Sequence, residues 1–305
     1  MKYTLATVIV NYGTHDRTVQ YVKEELPKCR LSQLIIIVNN GATERTTSYF
    51  VQELKANRID DITGIPDNNN EGDIYVIHNP ENSGYAKGNN IGVRFVNNHF
   101  DVDYLLISNN DIVFQQDDVV EKLIDKLNEL PDAAVIGPKV VGLDGKCQSP
   151  YWYIPFWREM LLYPFERFIP FLKLKRYSHD DATEGYYHHV MGCFFVIELK
   201  DYWECGMMDE NTFLFYEEWI LADRLNSIGK KEYYFPGARV LHNHGFSMSK
   251  MEKKLIRRDF YLESGLYYFR HYRNVGCVKI AVCNAVRLSF NLAINIFRMV
   301  KARCQ

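Results

Sequence analysis

Two clusters of acidic and amide residues and a late histidine pair are the parts of this chain best suited to chemistry. In the first cluster, the apolar run Leu105, Leu106 and Ile107 ends in Ser108, Asn109, Asn110 and Asp111, and a helical segment resumes near Asp117. A carboxylate at the C-terminal end of a buried strand stands where open α/β sheets bind ligands, and a hard cation bridging to phosphates needs an oxygen ligand there. Asn and Asp also dominate ordinary turns, so the triplet alone leaves a plain turn open. The second cluster is Glu217 and Glu218 at the head of a helical segment. Two adjacent acids there serve either as proton acceptors or as partners of the helix dipole. His242 and His244 follow a strand-like start at Val240, and in an extended segment their rings would share one face.

The elements that must carry these groups are legible as apolar runs. Strand-like runs occur at Leu5 to Val10, Leu34 to Val38, Ile74 to Ile77, Tyr104 to Ile107, Ala133 to Ile136 and Cys193 to Ile197. Helical segments are expected near Asp16 to Cys29, Glu44 to Lys55, Tyr85 to Asn98, Asp117 to Leu130 and Glu217 to Ile228, the fourth with Leu123, Ile124 and Leu127 at helical spacing. Apolar strands alternating with helices describe an α/β fold with a mainly parallel, doubly wound sheet. The polar stretch between Ala56 and Gly72 reads as a functionally quiet surface excursion. From Gln148 to Gly185 aromatic residues, prolines and basic residues interleave, from Trp152 and Trp157 to Lys173 and Arg176. That stretch fits a packed subdomain, a lid over an acceptor or a membrane-touching loop.

At 305 residues with 47% apolar composition, the chain can bury a large core as one domain or as a domain with an appendage, and global disorder is excluded. Seven cysteines form no C-x-x-C pair, and the N-terminus has no basic region followed by a long apolar core. Free thiols in a reducing cytosol are expected. After the first strand stand Asn11, Tyr12, Gly13 and Thr14, with no G-x-G-x-x-G turn, which argues against a dinucleotide-dependent oxidoreductase.

Several segments, in order, resemble family 2 glycosyltransferases of the GT-A fold, particularly the bacterial rhamnosyltransferase-like branch. They are Thr7 to Tyr12; Ile35 to Gly41; Asn79 to Gly92; Ser108 to Asp111; Met191, Gly192 and Cys193; Phe213 to Glu218; and Ala238 to His242. The third is the most specific, matching N-P-E-N-x-G-x-A-x-G-N-N-x-G at every fixed position. The resemblance implies a Rossmann-like, mainly parallel mixed sheet flanked by helices, with a C-terminal helical extension. It also implies an inverting enzyme of cell-surface polysaccharide synthesis, taking a sugar from a UDP- or dTDP-linked donor to a glycan acceptor, expected to be lipid-linked. The rival reading is a nucleotide-sugar-binding homologue without turnover.

By the same resemblance, Asn11, Tyr12, Asn39 and Asn40 would hold the nucleoside. Gly84, Lys87 and Asn90 would face the phosphorylated or polyhydroxylated ligand, with Asn109 and Asn110 beside it. Asp111 and His242 would hold Mn²⁺ or Mg²⁺, with His244 as the fallback ligand. Glu218 is the implied base and Glu217 its orienting neighbour. Asn39 and Glu218 stand where the family usually has Asp. The first change removes a negative charge beside the nucleoside, and the second lengthens the base by one methylene.

The split is expected at 249/250, with a catalytic domain over 1–249 and a basic helical extension over 250–305. The extension holds 12 Lys/Arg against 3 Asp/Glu, while the rest holds 24 against 35. A helix is expected over Met251 to Tyr272, with Leu255, Leu262, Leu266 and Phe269 on one side. From Val278 to Val300 the apolar run is broken by Lys279, Asn284, Arg287, Asn291 and Asn295, which disfavours a spanning helix and fits an interfacial one. The expected partners are thus the donor, the glycan and the inner face of the cytoplasmic membrane, without nucleic acid. A neighbouring subunit in a homo-oligomer stays open as the partner of the last helix.

Overall fold

The computed structural model describes residues 2–64, 72–162, 182–243 and 250–289, with side chains left aside over 250–258. The expected apolar runs form β1 (Lys2–Asn11), β2 (Gln33–Asn40), β4 (Ile74–Asn79), β5 (Asp101–Ser108), β7 (Ala133–Gly142) and β9 (Phe194–Glu198). Joined by β3 (Asn57–Ile59), β6 (Ile112–Phe114), β8 (Gly185–Tyr187) and β10 (Lys231–His242), they make one sheet in the order β3-β4-β2-β1-β5-β9-β7-β10-β6, with β8 against β10.

From β3 to β5 every neighbour is parallel. These strands are apolar on both faces because helices cover both sides. Strand β9 then runs antiparallel between β5 and β7, and β10 is parallel to β7 but antiparallel to β6 and β8. The fold is therefore GT-A-like α/β with a mixed sheet, more antiparallel in its second half than the strand runs suggested. Direction is invisible in an apolar run, since the pattern of burial reads the same both ways.

Helices α2 (Glu44–Leu54), α3 (Gly84–His99), α4 (Val119–Asn128) and α6 (Glu217–Ser227) fall where periodicity placed them. In α4, Leu123, Ile124 and Leu127 are buried. The first crossover departs from one long helix: α1 (His15–Gln20) tightens through a π turn at Tyr21–Glu25 and a 3-10 turn at Leu26–Lys28. Pro27 cannot continue a helical hydrogen-bond ladder. The polar excursion after Ala56 contains edge strand β3, with Asn57 and Ile59 buried.

Helix α3 lies close on the sheet because Gly88 and Gly92 present no side chain to it. A Cβ on Gly92 would stand 2.6 Å from Val8 Cγ1, and overpacking of that kind costs about 1–3 kcal/mol.

Two apolar clusters cover the two faces of the sheet. A third joins Ile154 and Phe156 of the aromatic stretch, Trp219 of α6, Tyr268 and Phe269 of α7 (Lys250–His271), and Cys283 of a helix over 277–289. Leu262, Leu266 and Phe269 pack there as expected, so the C-terminal helices share a core with α6. Short helix α5 (Leu199–Glu204) follows β9. The six described cysteines are free thiols, four of them buried. Cys304, His244, the stretch 163–181 and residues 290–305 lie outside the described residues.

Candidate active site

The parallel strands end in register, so their polar termini meet. Asn11 lies opposite Asn39, and Asn40 opposite Asn79. Asn11 Nδ2 donates to Asn39 Oδ1 at 3.1 Å, and Asn39 Nδ2 donates to the hydroxyls of Thr46 and Thr47. An amide suits this position because it accepts on one side and donates on the other, which an aspartate could not do. Thr18 Oγ1 donates to Asn11 Oδ1 at 2.9 Å and accepts from Asn110 Nδ2 at 2.6 Å. A buried amide and hydroxyl floor thus runs from β2 through β1 to the Asn109 to Asp111 turn. Its members are saturated by one another, which rigidifies the crevice above them.

Tyr12 stands on that floor with 61% of its surface exposed. Its ring covers Gly41, where a Cβ would lie 3.0 Å from Tyr12 Cε2. An exposed ring on a rigid support is a stacking platform for a base. Asn40 accepts from Asn79 and Ser83 and donates to Asn82 and the Gly84 carbonyl, fixing the turn into α3.

Two of the expected ligand contacts, Gly84 and Asn90, have internal partners. The leading N–H groups of α3 are taken, Gly84 by Asn82 Oδ1 at 3.2 Å and Tyr85 by the Phe213 carbonyl at 3.0 Å. Gly84 itself, at φ +81°, lies beneath Phe213, whose carbonyl oxygen would be 2.5 Å from a Cβ. The Asn90 amide binds Met208, Glu210 and Tyr202, so it anchors the 208–210 loop to α3. Lys87 is exposed on the first turn of α3. Phosphate recognition by the start of α3 therefore narrows to Lys87.

The remaining motifs converge on the turn Met191, Gly192 and Cys193. Asn109 N–H donates to the Cys193 carbonyl at 2.8 Å. Tyr85 Oη donates to the Gly192 carbonyl at 2.6 Å, and the Glu218 side chain packs directly on Gly192. Gly192 has no room for a side chain, since a Cβ would collide with Glu218 Oε1. The Cys193 thiol, pushed well up by burial, also feels Asp111 and Glu218. Both carboxylates thus stand close to one turn.

Strand β10 brings His242 to Asp111 by pairing it with Ile112, the residue after Asp111. Asn243 N–H donates to the Asp111 carbonyl at 2.8 Å, tightening that junction. His242 Nε2 stands 3.2 Å from Asp111 Oδ1, and this enclosed oxygen accepts no hydrogen bond. On the far side of the ring, Nδ1 lies 3.0 Å from Gln148 Oε1. With the Nδ1 proton donated to Gln148, the Nε2 lone pair points at Asp111, the tautomer used by metal-ligating histidines. At that distance the pair can share either a proton or a cation. Adjacent ligands of an octahedral ion at about 2.1 Å stand about 3 Å apart, so the pair fits Mg²⁺ or Mn²⁺. No group of three or more His, Cys, Asp or Glu converges among the described residues. A cation held here would take its other ligands from phosphate oxygens and water.

Glu217 and Glu218 open α6 behind an unusual entry. Phe215 and Tyr216 have φ of +74° and +69°, two consecutive left-handed residues with side chains. Each such residue costs about 1–3 kcal/mol and persists where its surroundings over-determine it. Glu217 is 2% exposed, and its Oε1 has no hydrogen-bond partner. Burial, then the charge of Glu218, push the Glu217 carboxyl well above the usual range. Burial likewise raises Glu218, with the Gly192 N–H opposing. A raised carboxylate is a better proton acceptor near neutral pH. Beneath them Glu232, also raised by burial and by Glu218, accepts the Val190 N–H at 2.8 Å.

Sequence reasoning did not single out Gln148, Glu232 or the hydroxyl of Tyr85. Tyr85 sits at a variable position of the strongest motif, whereas Gln148 and Glu232 carry no local signal because tertiary pairing alone brings them here.

The glycosyl transferase family 2 model matches residues 8–205. The chain belongs to that family. An N-acetylglucosaminyl-diphospho-decaprenol L-rhamnosyltransferase of Mycobacterium tuberculosis is 24% identical over 152 residues, 48% of this chain and 49% of that protein. The low-salt glycan biosynthesis hexosyltransferase Agl10 of Haloferax volcanii is 24% identical over 148 residues, 48% of this chain and 44% of that protein. The chain spans about half the length of the curated relatives it matches. GalNAc-T7, solved with UDP, GalNAc and Mn²⁺, superimposes with a TM-score of 0.55 at 17% identity, covering 89% of this chain and 49% of that one. These likenesses agree with the GT-A fold and the rhamnosyltransferase-like branch of this family 2 chain.

Proposed function

We propose that this family 2 protein is an inverting glycosyltransferase of glycan biosynthesis, moving a sugar from a UDP- or dTDP-linked donor to a glycan acceptor. One observation carries the reading. Glu218 packs on Gly192, and Asp111, 3.2 Å from His242, stands near Cys193 of the same turn, so leaving group and nucleophile have separate partners within one site. Tyr12 stacks on the base, and the strand-end amides hold the crevice rigid beneath it. Asp111 Oδ1 and His242 Nε2 would hold Mg²⁺ or Mn²⁺, which would supply positive charge beside the departing diphosphate. Glu218 takes the proton of an acceptor hydroxyl as its oxygen attacks the anomeric carbon from the opposite face. The new C–O bond forms while the bond to the diphosphate breaks, and that electron pair leaves with the phosphate oxygen. Glu217, uncharged in its buried site, avoids repelling the Glu218 carboxylate and orients the acceptor.

The acceptor is a lipid-linked glycan, by analogy with the mycobacterial N-acetylglucosaminyl-diphospho-decaprenol L-rhamnosyltransferase. The chain works at the inner face of the cytoplasmic membrane, with the extension beyond residue 249 as its contact. On the 277–289 helix, Val278 is 72% and Leu288 69% exposed, and Val282 and Val286 continue the outward row one turn apart. After Glu263 the chain has no acidic residue and seven Lys/Arg, which suits an anionic lipid surface. No helix among the described residues is long and apolar enough to cross a membrane.

The test is a thermal-shift panel of UDP-, dTDP- and GDP-sugars with and without Mn²⁺. Metal-dependent stabilisation by one nucleotide type is expected. Stabilisation by none of them, or equally without metal, would defeat the reading.

A further inference from the structure

The family match ends at residue 205, and the glutamate pair lies beyond that point. The entry to α6 is gripped from α7. Ser264 Oγ donates to the Leu214 carbonyl at 2.9 Å. Tyr216 Oη lies 3.1 Å from the Tyr261 hydroxyl and 3.3 Å from Glu159 Oε1. Gly265 makes room for the Tyr216 ring, since a Cβ there would stand 2.9 Å from Tyr216 Cζ. Phe213 stacks on Phe260 at 4.7 Å. At the start of the loop, the buried Asp209 carboxylate accepts from Tyr267 at 2.8 Å and pairs with Arg224 of α6 at 3.3 Å.

We propose that α7 is a positioning element of the transfer reaction, with Ser264 and Gly265 fixing the left-handed Phe215 and Tyr216 pair so that Glu218 stays seated on Gly192. The inference rests on Glu218 acting as the base. Its physical logic is local. A left-handed pair has no intrinsic reason to persist, so its geometry must come from outside the turn. Here the carbonyl before the pair is tied by Ser264, and the second ring is seated against Gly265. Released from those two contacts, Phe215 and Tyr216 would relax to ordinary backbone angles. The first turn of α6 would then redirect both glutamates, while Asp111, His242 and Tyr12, which stand on other elements, would keep the donor. The C-terminal helices then do two jobs, holding the base in place and carrying the outward apolar row that follows α7.

The experiment uses the full chain with Ser264→Ala, Gly265→Ala and the conservative Ser264→Thr, each checked for a cooperative melt. Hydrogen exchange of the 209–221 peptide is read beside kcat, donor KM and the pH profile of kcat. Faster exchange is expected in Ser264→Ala and Gly265→Ala. Their kcat should fall by roughly 100-fold, the scale of a base displaced by about 1 Å. Donor KM should stay unchanged and the acidic limb of the pH profile should move, while Ser264→Thr keeps wild-type behaviour. Unchanged exchange in the two folded variants overturns the proposal, and so does faster exchange with undiminished kcat. Should the wild type transfer nothing, the glycosyltransferase reading fails, and exchange alone decides the clamp: faster exchange upholds it and unchanged exchange overturns it.

Discussion

Replacing Glu218 by Gln removes the proton acceptor while sparing almost everything around it. The side chain keeps its length, and its amide can still pack on Gly192 as the carboxylate does. The neighbouring site, where Asp111 Oδ1 faces His242 Nε2 at 3.2 Å, is untouched. The loss should therefore fall on kcat alone. A positioned general base contributes about 10²–10⁴-fold, so the barrier should rise by about 2.7–5.4 kcal/mol at 1.36 kcal/mol per decade. The pH profile supplies the sign. Burial raises the Glu218 carboxyl, so wild-type kcat should climb with pH as that group loses its proton, and Glu218→Gln should lack this limb. Glu218→Asp, the residue usual in the family, keeps the charge but retracts it from Gly192, and should lose roughly 100-fold. The assay is steady-state transfer with the donor that stabilises the protein, beside donor binding measured by thermal shift. A Glu218→Gln enzyme within about tenfold of wild type would refute the assignment. Intact donor binding in a wild type that neither transfers nor hydrolyses would favour the inactive binding homologue.

Glu217→Gln should stabilise the fold at neutral pH, because the amide is neutral at every pH and spares the buried site the cost of a carboxyl whose titration is pushed up. Because the folded Glu217 carboxyl is raised above its ordinary value, its contribution is fully present below the unfolded value and is lost as pH rises through the folded one. The melting advantage of Glu217→Gln should accordingly grow from acid to alkaline pH, and an advantage independent of pH would contradict this. Tyr12→Ala should weaken donor binding by about 1–3 kcal/mol in calorimetry, the scale of one base stacked on a ring, with the metal requirement unchanged. Val282→Glu should abolish flotation with anionic vesicles. If it instead dissociates a dimer in sedimentation while flotation is unchanged, the apolar row is a subunit contact.

The parallel half of the sheet was legible because strands covered on both faces are written as unbroken apolar runs, as at Leu34 to Val38. Edge strand β3 was missed because three residues with an Arg at their centre carry too little apolar signal. The donor floor was partly legible: Asn11, Asn39 and Asn40 stand at strand ends in the sequence, but their mutual saturation depends on the β1 and β2 register. Asp111 and His242 were named from separate motifs, and the structure brings them together through the β6 and β10 pairing. Gly84 and Asn90 belong to the most specific motif, yet its fixed residues serve packing as much as ligand contact, because a helix close on a sheet needs glycine and a buried amide needs partners. The left-handed entry to α6 was invisible, since Phe215 and Tyr216 are poor left-handed residues on their own and α7 imposes that geometry from afar.

The central claim is a divalent cation held between Asp111 and His242 beneath the donor diphosphate. It is tested most directly by Mn²⁺ paramagnetic resonance during titration of the full chain with the preferred nucleotide. Binding of Mn²⁺ that tightens when the nucleoside diphosphate is added, and that is lost in Asp111→Asn and His242→Ala, is the predicted result. Equal Mn²⁺ binding in wild type and both variants, with nucleotide present, would contradict it.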